Sequence, residues 1–302
     1  MQRRIIISKG KKYLVNVPTD DGIYSGSYDF GQAASGSGGV PQDPYDNILY
    51  LSGSDFTYTN PTGVIGEAGA TWKIARGHNC VNMTNLALQQ QGGGGLEICD
   101  ITNATTMNQL AVQLNNLSSL DVHTNTALVN LYCNENPSLS SLNVSGLTVL
   151  DYLDCYDNNI TTLDLHTNTA LTYLSCENNG MTSLNINGVT GLTQIYAFDN
   201  VLAGAFDLSA NSSLGFADFS DNKLTSVNVA GTSIITLNLT NNLLTSGAVD
   251  TILAALVVNN TIVVPGSTVA QLDGTGNAVP SVAGLASRTT LTGKGWSVNV
   301  NP

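Results

Sequence analysis

From Met107 onward the chain repeats itself, and no other property limits its possible folds so sharply. The phrase His123-Thr124-Asn125-Thr126-Ala127-Leu128 returns 43 residues later as His166-Thr167-Asn168-Thr169-Ala170-Leu171, a distance of two units of 21–22 residues. Units start at Met107, Leu128, Leu150, Leu171, Leu192, Leu214 and Ile234. Eight residues after each start stands an asparagine: Asn115, Asn136, Asn158, Asn179, Asn200, Asn222 and Asn242. Three and five residues after each start the chain is mostly apolar, as in Leu131 and Cys133 or Leu237 and Leu239. A second apolar pair follows in most units, such as Leu163 and Leu165. A degenerate eighth unit is expected near Leu86, because Leu96, Cys99 and Ile101 stand 21 residues ahead of Leu117, Leu120 and Val122.

Units this short cannot fold singly. Each coil buries a few apolar side chains against the coils on either side, so a stack is stable where one coil is not. The asparagine is expected to turn inward at the bend and hydrogen-bond backbone groups that burial would leave unsatisfied. The spacing L-x-x-L-x-L-x-x-N resembles leucine-rich repeats. The expected fold is a mainly β solenoid over 86–246, with an N-terminal hairpin and linker over 1–45. An N-terminal β cap over 46–85 and a small α/β cap over 247–302 would close its ends. Cys133, Cys155 and Cys176 share one inward position in successive units. Neighbouring strands lie ~4.8 Å apart with parallel Cβ vectors, whereas a disulfide needs converging vectors and Cβ atoms ~3.8 Å apart. A stack of free thiols is therefore expected. Metal binding is the lesser alternative, since no C-x-x-C or Cys/His pair accompanies the column.

Charged residues make up 11% of the chain and the net charge is −12. Seven of the ten Lys and Arg precede residue 86, among them Arg3, Arg4, Lys9, Lys11 and Lys12, balanced there by seven acids. All of the negative excess therefore falls on the repeats and the C-terminal end. Such a surface repels phosphate backbones, which argues against nucleic-acid binding. The basic start either meets an acidic partner or is a solvated hairpin. Its apolar run, Ile5 to Ile7, is too short for a secretory core, and no stretch approaches the ~18 apolar residues that span a bilayer. The expectation is a protein made in the cytoplasm that leaves by another route, such as a virus particle, without membrane insertion.

Strands are expected at 4–7 and 13–17, a Gly/Ser/Pro-rich loop at 25–45 and further strands at 48–51 and 71–75. After the repeats, Ser246 can cap a helix carrying Val249, Ile252, Leu253 and Leu256 on one face. A strand at 261–264, a helix from Ser281 to about Leu291, a Gly293-Lys294-Gly295 turn and a strand at 296–300 should follow. Units such as Leu163-Asp164-Leu165-His166-Thr167-Asn168-Thr169-Ala170-Leu171 resemble the leucine-rich repeats of Bacteroidetes surface and phage proteins. The tail runs from Val249-Asp250-Thr251-Ile252-Leu253-Ala254-Ala255-Leu256 through Gly284-Leu285-Ala286-Ser287 to Gly295-Trp296-Ser297-Val298. It is similar to the C-terminal segment of tail-fibre and other bacteriophage virion proteins. This resemblance implies a virion component, of fibre, decoration or tail-associated type, that joins other virion subunits through its N-terminal arm. A homo-oligomer fits the same picture, although nothing in the spacing sets a copy number. The alternative is a bacterial surface adhesin.

Between the apolar positions of the first strand, side chains point outward. That face carries Tyr132, Tyr152, Tyr156, Tyr173, Tyr196, Phe198 and Phe216, interleaved with Asp154, Glu177 and Asp218. Aromatics beside carboxylates suit a host glycan or a protein hot spot; the plainer alternative is that aromatics favour β surfaces. Catalysis is not expected. G-x-S-x-G, H-E-x-x-H and P-loop motifs are missing, and carboxylates on an open sheet should be neither desolvated nor shifted in pKa. No cofactor or metal site is expected, calcium at turns such as Asp157-Asn158-Asn159 being the minor alternative.

Overall fold

The computed structural model describes residues 104–259 and 268–302, together with Ile101 and a set of earlier strands. It divides into two units, Met1–Leu150 and Asp151–Pro302. The expected strand at 261–264 lies outside the described residues, and so does the expected loop at 25–45 except for Gln42–Asp43, which is not loop but pairs antiparallel with Ile48 and Leu49.

In the first unit, Gln2–Ser8 and Lys11–Val17 pair as an antiparallel hairpin. Two parallel stacks follow. One runs Phe56–Asn60, Asn85–Gln90, Gln109–Ala111, Asn130–Tyr132; the other runs Ile48–Leu51, Ile74–Gly77, Ile98–Asp100. Ser119–Asp121 pairs in parallel with Ser141–Asn143. Parallel pairing thus begins at Ile48, well before the residue pattern becomes legible.

In the second unit the front sheet is Tyr152–Asp154, Tyr173–Ser175, Gln194–Tyr196, Phe216–Asp218 and Thr236–Asn238. It continues without a break into Val269–Leu272 and Ser297–Val300. The back of the coil carries the pairs Thr162–Asp164 with Ser183–Asn185 and Ala203–Asp207 with Lys223–Asn228. The coil is a leucine-rich-repeat β solenoid. Most front strands are three residues long with only the middle side chain fully buried. The core is therefore a set of single-file columns such as Leu153, Leu174, Ile195, Ala217 and Leu237, all with no exposure. Cys155 and Cys176 continue the next inward column as buried thiols outside any disulfide; Cys133 is likewise buried and outside any disulfide in the first unit. Burial in apolar surroundings pushes the Cys176 thiol far up, which leaves it inert.

The asparagine at each bend works as its position suggests. Asn222 Nδ2 donates to the carbonyls of Ala197, Phe219 and Ser220, and its Oδ1 accepts from Leu202 N–H of the preceding coil. Asn136, Asn200 and Asn242 do the same, while Asn158 and Asn179 are half-buried rather than enclosed. The residue just before each asparagine turns left-handed: Leu114, Glu135, Asp157, Asn178, Asp199, Asp221 and Asn241 all have φ between 50° and 61°. Five of these seven are Asp or Asn, the side chains that tolerate this conformation best after glycine.

The repeat of 43 residues also has a structural meaning of its own, because two kinds of coil alternate. One kind carries a second inward asparagine: Asn125 and Asn211 are buried and donate to carbonyls of the coil before them. The other kind turns at a glycine with positive φ: Gly146, Gly188 and Gly231. At the end of the back strand the same alternation places Asp in one kind and Asn in the other. Asn185 donates to Asp164 at 2.9 Å and Asn228 to Asp207 at 3.0 Å. An uninterrupted Asp column would set like charges one strand spacing apart; the intervening amide prevents that.

Beyond the last coil, α1 (Ser246–Asn259) takes the place of a back strand and buries Val249, Ile252, Leu253 and Leu256. The second helix, α2 (Val282–Gly293), is capped by Ser281 and leads into the last front strand. Asn277 extends the asparagine series into this end, donating to Leu239 C=O and accepting from Leu244 N–H.

Candidate binding face

Register decides which outward side chains meet. Tyr152, Tyr173, Gln194 and Phe216 are equivalent, and two residues along so are Asp154, Ser175, Tyr196 and Asp218. Four aromatics nevertheless form one continuous row. Tyr152 and Tyr173 stack with ring centroids 4.3 Å apart and planes within 1°. Tyr196 reaches across from the neighbouring column to lie 5.8 Å from Tyr173 and 4.6 Å from Phe216. All four are half-buried.

The stack changes what the face can offer. Two tyrosines lying flat on one another cover each other's inner faces, so they present mainly edges and hydroxyls. Burial, the hydrogen bond with Tyr152 and the nearby Asp154 push the Tyr173 hydroxyl up, keeping it a neutral donor. Tyr156, Glu177 and Phe198 lie further along the same face, half-buried. Tyr132, on Asn130–Tyr132, belongs to the first unit and is also half-buried.

One expectation about the carboxylates needs correction. Glu177 is desolvated: burial raises its pKa, and the charges of Asp154 and Asp157 raise it further, against a 2.9 Å hydrogen bond from Ser175 Oγ. Asp218, by contrast, is satisfied locally, accepting from Ser220 N–H and Oγ and from Asn238 Nδ2. No Lys, Arg or His stands on any front strand of the second unit. Among the described residues there is no group of three His, Cys, Asp or Glu placed to hold a metal, and no helix long and apolar enough to cross a membrane. His123 and His166 are surface residues, each bonded to the aspartate two residues earlier.

No protein-family description and no curated protein matches this sequence. Solved structures do. The functional domain of InlJ from Listeria monocytogenes, described as including a cysteine ladder, is 21% identical over 66% of this chain and 64% of its own, with a TM-score of 0.31. The chain thus spans just under two thirds of that domain. A Leptospira interrogans leucine-rich-repeat protein is 14% identical over 77% and 76%, TM-score 0.40. An internalin, InlF, also from L. monocytogenes, is 16% identical over 85% and 87%, TM-score 0.34.

The sequence did not single out Phe206 and Asp207, on the one back strand that departs from the regular pattern. The signal was present in Gly204, which interrupts a strand position.

Proposed function

We propose that this is a non-enzymatic binding protein whose front face, centred on Tyr152, Tyr173, Tyr196 and Phe216, holds a protein partner. The observation that carries this reading is the aromatic row itself: four adjacent half-buried rings flanked by Asp154 and Glu177, with no cation on the strands to neutralise them. Aromatics in such settings dominate binding energy. A glycan partner on this face is less well supported, because sugar rings pack on open aromatic faces and the Tyr152–Tyr173 stack covers its own.

The same reading makes the chain a subunit of a bacteriophage particle that presents this face to the host, attached through residues 1–45. The resemblance of the tail segment to virion proteins supports it. A bacterial surface adhesin is the competing assignment, and the repeat fold serves either. Mass spectrometry of purified particles separates them. The chain should be found in virions and be missing from uninfected cells; the reverse distribution would assign it to the cell surface.

A further inference from the structure

Among the described residues from Ser119 onward the back of the coil is regular except at one place. Ala203–Asp207 and Lys223–Asn228 are five and six residues long where the back strands from Ser119 to Asn185 have three, and their register shifts between Gly204 and Ala205. Gly204 has φ +80°, which permits the bulge. Bulges of this kind re-aim side chains. Here the affected residue is Phe206, in the column that Leu163 and Leu184 occupy as buried core residues. Phe206 packs at a 50° tilt against the buried Phe219, centroids 4.8 Å apart, and is itself half-exposed.

Beside it lies a cleft of about 440 Å³, walled on its far side by the first turns of α1. Its apolar surface comes from Phe206, Val227 and Ala248, and its polar groups include Asp207, Asn228 and Ser226. Asp207 accepts from Ser209 and from Asn228 Nδ2, and Asn228 Oδ1 accepts from Ala230 N–H; Asp207 is nonetheless exposed and Ser226 half-exposed, so both can meet a ligand. The lining contains no cation, so an anionic ligand is disfavoured.

We propose that this cleft binds a single pyranose unit, free or at the end of a polysaccharide. One C–H face of the sugar would lie on Phe206, with its hydroxyls turned to Asp207, Asn228 and Ser226. Volume, one aromatic wall and a few convergent acceptors are what a site for one small ligand requires. A pyranose has the matching pattern of one apolar face and a rim of donors. Hydrogen bonds from Ser209 hold the Asp207 carboxyl below the usual range, so it stays an acceptor at neutral pH. The site is separate from the aromatic row and does not depend on its role.

Saturation-transfer NMR on the full chain, with glucose, galactose, mannose and N-acetylglucosamine at millimolar concentration, tests the proposal. Ring protons of at least one sugar should receive transfer. Phe206→Leu, which restores the residue type of the neighbouring coils, should weaken binding about tenfold or more, as should Asp207→Asn. Val282→Ser, on the exposed side of α2 away from the cleft, should leave it unchanged. Circular dichroism confirms that each variant is folded. No transfer to any of the four sugars would overturn the proposal, as would binding that survives Phe206→Leu. Tetramethylammonium bound in preference to every sugar would overturn it too, making the cleft a cation site.

Discussion

Residue by residue, the coil depends on a few positions whose chemistry is dictated by backbone geometry. The left-handed residue before each bend asparagine is the clearest. Leu114, at φ 61°, fills it with a half-exposed side chain that gains nothing from the conformation. Leu114→Asn should therefore stabilise the protein by about 0.5–1 kcal/mol, read as a higher midpoint in urea unfolding; a lower midpoint would mean that the leucine is held by packing. Glu177 gives a pH signature. Its folded pKa is raised, so its contribution to stability is complete below the unfolded pKa and is lost as pH rises through the folded value. Asp164 and Asp207 run the other way: their lowered pKa values give stability above the unfolded pKa that is lost as pH falls through the folded one. Glu177→Gln keeps an acceptor for Ser175 and removes the charge. It should raise the melting temperature at pH 7 and match the parent protein below the ordinary carboxylate range. An equal or lower melting temperature at pH 7 would show that Glu177 is not desolvated.

At the scale of elements, the two helices interlock through one carboxylate. Asp250 on α1 accepts from Ser281 N–H at 2.9 Å and from its hydroxyl, fixing the start of α2. A Cβ at Gly284 would stand 2.0 Å from Asp250 Oδ1 and 2.9 Å from Pro280 Cβ. Alanine is the better helix former by about 1 kcal/mol, yet Gly284→Ala should lose about 1–3 kcal/mol because the helices must part. A gain would mean that the contact yields freely. Much of this architecture was legible in the sequence, because buried columns repeat with the coil: the unit starts, the bend asparagines and the helix capped by Ser281 stand where periodicity and capping put them, whereas α1 is capped by Thr245, whose Oγ1 accepts from Ala248 N–H, and the expected cap Ser246 instead donates its hydroxyl to Val279 C=O. Less legible was whatever breaks the period. The bulge at Gly204 and the strand Val269–Leu272 each depend on one local departure that no neighbouring coil repeats. Where the sequence gives an outward column it does not say how rings in that column lie. The flat Tyr152–Tyr173 pair and the crossing of Tyr196 into the row are products of side-chain packing.

For the molecule as a whole, the front sheet of the second unit is a strip with its core columns fully buried, on which outward residues can change without disturbing the fold. That separation is what makes a binding role testable. Tyr152 and Tyr173 contribute their mutual stack, worth about 0.5–1.5 kcal/mol, and otherwise face outward. The most direct test is the Tyr152→Ala, Tyr173→Ala double variant of the full chain, first shown by circular dichroism to be folded with at most that small loss of stability. Binding to the host cells and virion proteins proposed as its partners is then measured beside the parent protein. The account predicts a loss of ~2 kcal/mol or more for a protein partner, an affinity at least about thirtyfold weaker. Unchanged binding to both would contradict it and reduce the aromatic row to surface filler on a scaffold.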